Sequence, residues 1–295
     1  MYKQIDANIR KTFILITFFL IFIVGLGWVF SFIFNNPLIL YIAVVISLFQ
    51  AWISYFYSDK IALAVSGARE VKRAEALELY RIVENLTITA GLPKPKICII
   101  TDSSLNAFAT GRDPKHSTIA VTTGLLEKLS KSELQGVIAH EMSHIKNYDI
   151  RVMTVVVVLV GSIALVSDFF IRSLWWGRGG RNREGGQLGV ILMIVGIVLA
   201  ILAPLIAQLI QLAISRKREY LADASGALLT RYPEGLASAL EKIQYNSKPM
   251  KRANRATAHL FISNPFSTKK ISGLFATHPP IEDRIKQLRA MIGKS

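Results

Sequence analysis

The sequence predicts a mainly α-helical integral membrane protein with a small β-sheet. Of its 295 residues, 52% are hydrophobic and the mean hydropathy is +0.39, which is too apolar for an ordinary soluble domain. The excess lies in four apolar stretches, and short β-type runs precede a helical pattern in the polar sequence between the second and the third of them. We therefore expect four apolar helices together with a folded polar domain.

The distribution of charge divides the chain into four parts. The first part contains two stretches without a charged side chain, 12–34 and 37–57, and each is long enough to cross about 30 Å of hydrocarbon as a helix. We expect a two-helix membrane anchor, a membrane hairpin, and one domain assembled from the two polar blocks that flank the hairpin. In chain order, the anchor, the first block, the hairpin and the second block occupy residues 1–57, 58–151, 152–214 and 215–295.

The two apolar stretches of the hairpin are less regular than those of the anchor. Residues 152–167 are uncharged until Asp168 interrupts them, so this stretch is marginal as a membrane span. Residues 188–214 are uncharged over more length than a span requires. The loop between the two stretches is rich in glycine and arginine, so a re-entrant hairpin is an alternative to two full crossings.

Flanking charge predicts the orientation of the chain. With the N-terminus inside, the inner flanks carry thirteen Lys and Arg residues and the loop of the hairpin carries four. This asymmetry predicts a multi-pass protein of the cell (inner) membrane with both polar blocks in the cytoplasm. The single cysteine, Cys98, excludes an internal disulfide and fits a reducing compartment.

The net charge of +15 does not indicate a nucleic-acid-binding protein. The basic residues lie mostly near apolar segments and form no stripe with interleaved aromatic residues. They are placed to contact anionic lipid. We therefore expect the lipid bilayer as a partner and no nucleic acid.

The first polar block predicts a small sheet between two helices. Residues 69–90 have apolar side chains near helical spacing, which indicates an amphipathic helix. Ser130 and Glu133 form a capping-box pattern that opens a second helix running through His144. Three β-type runs bounded by turn residues lie between these helices, at 96–101, 106–110 and 118–122.

The second predicted helix carries the sequence His-Glu-Met-Ser-His. His140 and His144 are four residues apart and project from one face of the helix, so both imidazoles can reach one Zn²⁺ ion. Glu141 lies beside the first histidine, where a carboxylate can take a proton from an attacking water molecule. The pattern predicts a catalytic zinc site with one Zn²⁺ per chain.

A third protein ligand must come from elsewhere, because catalytic zinc sites usually have three. The remaining carboxylates, the other histidines and Cys98 are candidates. Glu219 stands out because Asp223 lies one turn further along the same helical face. A glutamate ligand with an aspartate behind it supplies both a metal ligand and an acceptor for a histidine N–H group. A solvated charged turn beside the membrane is the alternative for this segment.

Several motifs in order resemble the HtpX family, membrane zinc proteases of bacteria and archaea that are related to the CAAX prenyl proteases. The resemblance covers nearly the whole chain and includes four apolar segments in the same order. It implies a zincin-like metalloprotease domain, Glu219 as the third ligand with Asp223 behind it, and a role in membrane-protein quality control and the stress response. The motifs that carry it are Asn106–Gly111, His140–His144, Arg218–Asp223 and Thr277–Pro280.

Two further residues are candidates for the site. Asn106 lies in a short β-type segment that can act as an edge strand for an extended substrate, and the corresponding asparagine lines the cleft in the family that the chain resembles. A simple turn residue is the alternative. His278, ahead of two prolines and a predicted helix over 281–292, can stabilise the oxyanion of the reaction or only open that helix. His116 and His259 are interpreted as ordinary surface or loop histidines.

An endopeptidase is favoured over two other classes of protein. A membrane scaffold or holdase with a structural zinc would need a fourth protein ligand. A transporter would need ionisable residues inside its spans, and only Asp168 interrupts an apolar stretch. The expected activity is hydrolysis of peptide bonds in misfolded or damaged membrane proteins at the cytoplasmic membrane surface.

Overall fold

The structure, a computed structural model, shows the membrane helices, the sheet and most of both polar blocks. The predicted apolar stretch 188–214 and His278 lie outside the described part of the chain. The described residues are 2–33, 35–176, 216–246, 248–266 and 279–292.

Two long apolar helices begin the chain, because their residues are uncharged over a length that can cross a bilayer. Helix α1 comprises Tyr2–Ile33 and helix α2 comprises Leu38–Phe56. Both are long and apolar enough to span a membrane, and both expose many large apolar side chains. The two predicted spans are therefore confirmed as helices, and we treat them as the membrane helices of the chain.

A four-stranded mixed sheet follows. Its strand order is β1-β2-β4-β3, with β2 and β4 parallel and the two outer pairs antiparallel. Strand β3 is an edge strand. The elements of this region are α3 (Ser58–Ser66), β1 (Ala68–Glu70), α4 (Leu77–Ala90), β2 (Lys96–Ile100), β3 (Ala107–Gly111) and β4 (Ser117–Thr122).

Two boundaries differ from the sequence prediction. The helix predicted over 69–90 is wrong at its start, because the residues of β1 pair with β2, with Ala68 opposite Ile100. Pairing with a neighbouring strand overrides the local pattern here, and α4 begins only at Leu77. Asn106 lies one residue before β3 instead of inside it.

The helix with the two histidines is α6, Lys131–Lys146, which follows the short helix α5, Thr123–Lys128. Its predicted capping box is present: the Ser130 backbone N–H donates to Glu133 Oε2 at 2.7 Å, and the Ser130 hydroxyl accepts from the Glu133 backbone N–H at 3.4 Å. These contacts fix where α6 begins.

Helix α6 ends abruptly and the chain changes direction. Tyr148 adopts a left-handed backbone conformation with φ of 59°, and helix α7, Asp149–Trp176, then departs at 83° to α6. The stretch predicted to begin the hairpin is therefore helical. Within the described residues there are two helices suited to spanning a membrane, or up to three if the bent pair α6 and α7 is counted as one broken span.

Residues from both polar blocks share one hydrophobic core. Helices α8 (Arg216–Thr230) and α9 (Pro233–Tyr245) pack against α6, and helix α10 (Ile281–Arg289) packs against α8 and α9. The core includes Val83 of α4, Ile119 of β4, Ile138 of α6, Leu240 of α9 and Leu288 of α10. Helix α6 is central to this core, so the side chains that it carries toward α8 are buried.

The beginning of α7 packs against the first membrane helix. Val152, Val156 and Leu159 form an apolar cluster with Leu15 and Phe19 of α1. Removal of these side chains from both water and lipid fixes α1 beside the end of α6. The first membrane helix therefore lies close to the region in which the two histidines are found.

Candidate metal centre

Three side chains from two helices converge on one point. His140 and His144 of α6 bring their Nε2 atoms to 3.1 Å from each other, and Glu219 of α8 lies beside them. The Glu219 carboxylate oxygens are 3.5 Å from Nε2 of His144 and 3.9 Å from Nε2 of His140. One ligand atom of each residue lies within 4.8 Å of the others, and all three residues are buried. The structure thus brings together the three ligands predicted from the sequence.

A small residue allows α8 to approach α6 this closely. Gly226 faces the backbone of α6, and a Cβ atom on it would lie 3.0 Å from the backbone nitrogen of His140. Glu219, Asp223 and Gly226 are spaced at i, i+4 and i+7, so they lie on one face of α8. The close packing at Gly226 therefore brings both carboxylates to the histidines.

A carboxylate supports the far side of each imidazole. Nδ1 of His140 is 2.9 Å from Asp223 Oδ1, and Nδ1 of His144 is 3.0 Å from Asp149 Oδ2. A carboxylate in this position accepts a proton from Nδ1, so the Nε2 lone pair of each ring is directed toward Glu219. This is the tautomer that a metal ligand requires.

Asp223 is held by a fully buried arginine that the sequence analysis did not identify. Arg284 of α10 donates from Nε to Asp223 Oδ2 at 2.8 Å and from Nη2 to Oδ1 at 2.7 Å. Burial alone would raise the pKa of Asp223, but the charge and hydrogen bonds of Arg284 outweigh it and lower the pKa to about 2. Asp223 is therefore ionised and fixed in orientation.

The sequence did contain a signal for Arg284. In an amphipathic helix that begins at Ile281, position 284 lies on the same face as Ile285 and Leu288, both of which are buried. A charged residue on the apolar face of a helix is rarely fully buried without a partner. Such a residue predicts a buried carboxylate partner.

Asp149, which supports His144, was also missed. In one continuous helix, a residue five positions after His144 would be turned by about 140° away from it. The left-handed conformation of Tyr148 ends α6, so that Asp149 begins α7 with its side chain directed back toward His144. Lys146 and Asn147 are weak signals for the end of a helix, but without glycine or proline at this point the local sequence does not predict a left-handed residue at position 148.

Glu141 is buried beside the two histidines. It accepts a hydrogen bond from the Ala109 backbone N–H at the free edge of β3, while its Oε1 has no hydrogen-bond partner within the described part of the chain. Burial raises the pKa of Glu141 to about 7. A carboxyl group with a pKa near neutrality can both take up and release a proton, as general acid–base chemistry requires.

The electrostatics of the cluster favour a cation at the point where the two Nε2 atoms meet. Burial alone would lower the pKa of His144, but its hydrogen bond to Asp149 and the nearby Glu219 carboxylate raise it to about 9. Burial lowers the pKa of His140. Only one of the two adjacent imidazoles can be positively charged at a time, because two imidazolium rings within hydrogen-bonding distance would repel each other.

The donor set fits a zinc ion. Two imidazole nitrogens and one carboxylate are typical catalytic zinc ligands, and tetrahedral zinc–nitrogen bonds place two such nitrogens roughly 3.3 Å apart. The observed separation is 3.1 Å. Four carboxylates are buried around the cluster, and the guanidinium groups described beside them are the buried one of Arg284 and the partly exposed one of Arg218, so a divalent cation compensates the remaining negative charge.

Asn106 lies at the start of the edge strand, and its side chain is already bound. Its Nδ2 donates to the Ser263 carbonyl at 3.0 Å, and its Oδ1 accepts from the Ser263 backbone N–H at 3.3 Å. Next to it, the Ala107 carbonyl accepts from the Ile262 backbone N–H at 2.9 Å. The chain itself therefore pairs with the beginning of β3, and Ala109 is the next residue whose N–H faces outward.

The remaining histidines have different environments. His116 is exposed and paired with Asp113, as expected of a surface residue. His259 lies in a 3₁₀ turn at 258–260, as a loop histidine could, but it is fully buried and is not a surface residue. Its Nε2 donates to the Met153 carbonyl at 2.8 Å, which links this turn to α7. A buried histidine is tolerated where a backbone carbonyl accepts its N–H group.

Comparison with known proteins agrees with this geometry. Residues 73–292 match the family described as peptidase family M48. The chain is 50% identical over 295 residues to the "Protease HtpX homolog" of Caldanaerobacter subterraneus subsp. tengcongensis. The aligned region covers 99% of this chain and 98% of that protein. It is 47% identical over 291 residues to the "Protease HtpX homolog" of Tropheryma whipplei (strain Twist), with coverage of 99% and 98%.

A solved structure shares the fold. The crystal structure of S. mikatae Ste24p superposes with a TM-score of 0.51 at 21% sequence identity, covering 98% of this chain and 67% of that one. The likeness concerns the fold alone. The family match over most of the sequence and the relatives of similar length show that this chain belongs to peptidase family M48 and is a membrane metalloprotease.

Proposed function

We propose that the chain is a zinc-dependent endopeptidase that hydrolyses misfolded or damaged membrane proteins at the cytoplasmic surface of the cell membrane. The convergence of His140, His144 and Glu219 beside the buried carboxyl group of Glu141 carries this proposal. The relatives named "Protease HtpX homolog" support it, as do the two membrane helices. A role in quality control and the stress response accords with the family resemblance.

In this proposal the three converging residues hold one Zn²⁺ ion per chain. When bound, zinc supplies a Lewis acid that polarises the scissile carbonyl and makes a water molecule more acidic. Asp223 and Asp149 keep the two imidazoles in the ligating tautomer through their contacts with Nδ1. Their charge also makes the imidazoles better electron donors.

Glu141 acts as the general base in this mechanism. Its Oε1 is buried beside the ligands, so it can take a proton from the attacking water and pass it to the leaving amine. The Ala109 N–H group, which contacts the same carboxylate, places Glu141 beside the edge strand. We propose His278 as the group that stabilises the oxyanion, as the sequence analysis suggested.

An extended substrate is proposed to run along the free edge of β3. The start of that edge is paired with residues 262–263, so the substrate meets the strand from Ala109 onward, next to Glu141. In this arrangement Asn106 lines the cleft indirectly. Its two hydrogen bonds to Ser263 hold the chain that borders the entrance.

The first test separates proton transfer from metal binding. In Glu141→Gln, cleavage of an unfolded model substrate should fall by about 100-fold or more, because a carboxamide cannot act as a base. Its zinc content should stay at that of the parent protein. Glu127→Gln, on the exposed surface of α5, is a matched control that should retain activity. Undiminished cleavage by the Glu141→Gln protein contradicts the assigned mechanism.

A second variant tests the ligand set itself. Glu219→Ala removes a ligand, so it should lower zinc content as well as activity. Zinc is measured by atomic absorption on the purified detergent-solubilised protein. If this variant retains a full complement of zinc, the third ligand is elsewhere.

The cytoplasmic orientation has its own test. A cysteine introduced at Ser295, with Cys98 replaced by serine, should resist a membrane-impermeant thiol reagent in intact cells and react after lysis. Labelling in intact cells would reverse the proposed topology.

A further inference from the structure

A polar residue of the first membrane helix reaches the metal centre. Asn8 lies on α1, in the segment suited to spanning a membrane, yet its side chain is buried and only 3% exposed. Its Nδ2 donates to Asp149 Oδ1 at 2.7 Å and to the Asn147 carbonyl at 2.8 Å. Both acceptors belong to the break between α6 and α7.

The chemistry of these partners fixes the orientation of the Asn8 amide. A carboxylate oxygen and a backbone carbonyl only accept hydrogen bonds, so the nitrogen must face them. The amide oxygen then accepts a hydrogen bond from Nη1 of Arg218 at 3.4 Å. The three described partners of the amide therefore agree with one orientation, as expected of a specific contact.

Asp149 connects this amide to a metal ligand. Its Oδ1 receives the hydrogen bond from Asn8, and its Oδ2 lies 3.0 Å from Nδ1 of His144. Arg218, at the start of the helix that carries Glu219, is 3.4 Å from the same Oδ1. The contacts thus run from a membrane helix through one carboxylate to an imidazole of the site.

We propose that Asn8 is a positioning residue for the metal centre, because its amide orients Asp149, which in turn orients the His144 imidazole. The first membrane helix is then part of the catalytic apparatus as well as an anchor. Without the amide, Asp149 loses its shortest described hydrogen bond to Oδ1 and can rotate away from His144. This inference rests on the proposed zinc ligands.

The test measures zinc affinity of the full-length protein in detergent by competition with a chelator. Removal of a carboxylate that contacts a ligating histidine typically weakens metal binding by about 10- to 100-fold. Asn8 is one contact further away, so Asn8→Ala should weaken zinc binding by roughly threefold to tenfold, less than Asp149→Asn does. Asn8→Asp, which replaces the donor by a carboxylate facing Asp149, should weaken it more than Asn8→Ala.

Thr12→Val is the matched control. Thr12 lies one turn along the same face of α1, is fully buried, and donates its hydroxyl to the Asn8 carbonyl, but it has no contact with Asp149 among those described. Its loss should perturb the packing of α1 without changing zinc affinity. An equal loss of affinity in Thr12→Val would show a general packing effect and overturn the proposal.

A double-mutant cycle decides whether Asn8 acts through Asp149. On an Asp149→Asn background, Asn8→Ala should have little further effect, because the carboxylate that it orients is gone. In the cobalt-substituted protein, Asn8→Ala should also alter the visible absorption bands, which report ligand orientation. Additive losses of affinity, or an unchanged affinity in both Asn8 variants, would overturn the proposal.

The outcome is distinguishable from a failure of the proposed zinc site. If Glu219→Ala keeps its zinc, the ligand set is wrong and the Asn8 measurements lose their basis. If Glu219→Ala loses zinc while the Asn8 variants bind it normally, the ligand set stands and only the role of Asn8 is wrong. If the Asn8→Ala protein is not recovered folded, Asn8→Asp, which keeps the original size, and Asn8→Ser, which is smaller but keeps a polar group, are compared in the same competition assay.

Discussion

The two histidines of the metal centre are supported by different parts of the molecule. Behind His140, Asp223 is held by Arg284, and both come from helices α8 and α10 of the polar domain. Behind His144, Asp149 is held by Asn8, and both come from the apolar helices α7 and α1. One ligand is therefore fixed by the domain core and the other by the junction of the domain with its membrane helices.

This difference has a chemical counterpart. The His140 support is a bidentate ion pair with a fully buried guanidinium, and such pairs are rigid but depend strongly on both partners. The neutral amide of Asn8 gives the closer contact on the His144 side, and Arg218 lies further away and is partly exposed. Loss of Arg284 on the His140 side should therefore lower the free energy of unfolding strongly. Loss of Asn8 on the His144 side should mainly weaken metal binding.

The largest effect is expected for Arg284→Ala. It leaves the buried Asp223 charge without its guanidinium, which typically lowers the free energy of unfolding by about 3–5 kcal/mol. Arg289→Ala is a matched control on the same helix, because Arg289 pairs with Glu234 and Glu241 at the solvent-exposed surface and its loss should lower the free energy of unfolding far less. Denaturant unfolding of the two variants measures the contrast. Equal destabilisation would show that the Arg284 pair has no special role.

A smaller and more specific effect is expected from neutralising each carboxylate. Asp149→Asn and Asp223→Asn should each weaken zinc binding by about 10- to 100-fold, because each removes the acceptor of an Nδ1 proton. The two variants should differ in the thermal stability of the metal-free protein. Asp223→Asn leaves the buried Arg284 without its closest carboxylate and should lower the melting temperature, whereas Asp149→Asn should change it less.

Chelator competition and thermal melting of the zinc-free proteins provide these two measurements. Equal destabilisation of the zinc-free protein by Asp149→Asn and Asp223→Asn would contradict the expected difference between the two supports. In that case both supports would be part of the folding core.

The same contrast explains how much could be predicted from sequence. His140, Glu141 and His144 belong to one helix whose capping box is visible in the sequence, so periodicity alone places them on one side of α6. Glu219 and Asp223 share a helical face for the same reason. The length of the uncharged stretches predicts the two spans, and β-type runs bounded by turn residues predict most of the strands.

The supporting contacts could not be predicted because they depend on chain reversals. Asp149 faces His144 only because Tyr148 takes a left-handed conformation, and this is uncommon for a bulky residue. Asn8 meets Asp149 across 141 residues of sequence. Strand β1 likewise forms only because a partner strand is present, and its three residues have no strand signal of their own.

The smallest effect is expected for Glu133→Gln, which tests support of the helix separately from support of the ligands. Glu133 caps α6 at the end far from both histidines, accepting from the Ser130 backbone N–H at 2.7 Å and from Lys242 Nζ at 2.8 Å. Burial alone would raise the pKa of Glu133, but these hydrogen bonds and the charge of Lys242 lower it below the ordinary value of 4.5.

Because the folded-state pKa of Glu133 is depressed, its contribution to stability is present above the unfolded pKa and is lost as pH falls through the folded one. Glu133→Gln should therefore lower the free energy of unfolding by about 1 kcal/mol or less near pH 7, and the difference from the parent protein should shrink below about pH 4.5. Zinc affinity at pH 7 should not change, since neither imidazole loses its carboxylate. If affinity falls together with stability, the position of α6 as a whole also controls the site, and the two local supports are then not sufficient to set the geometry of the ligands.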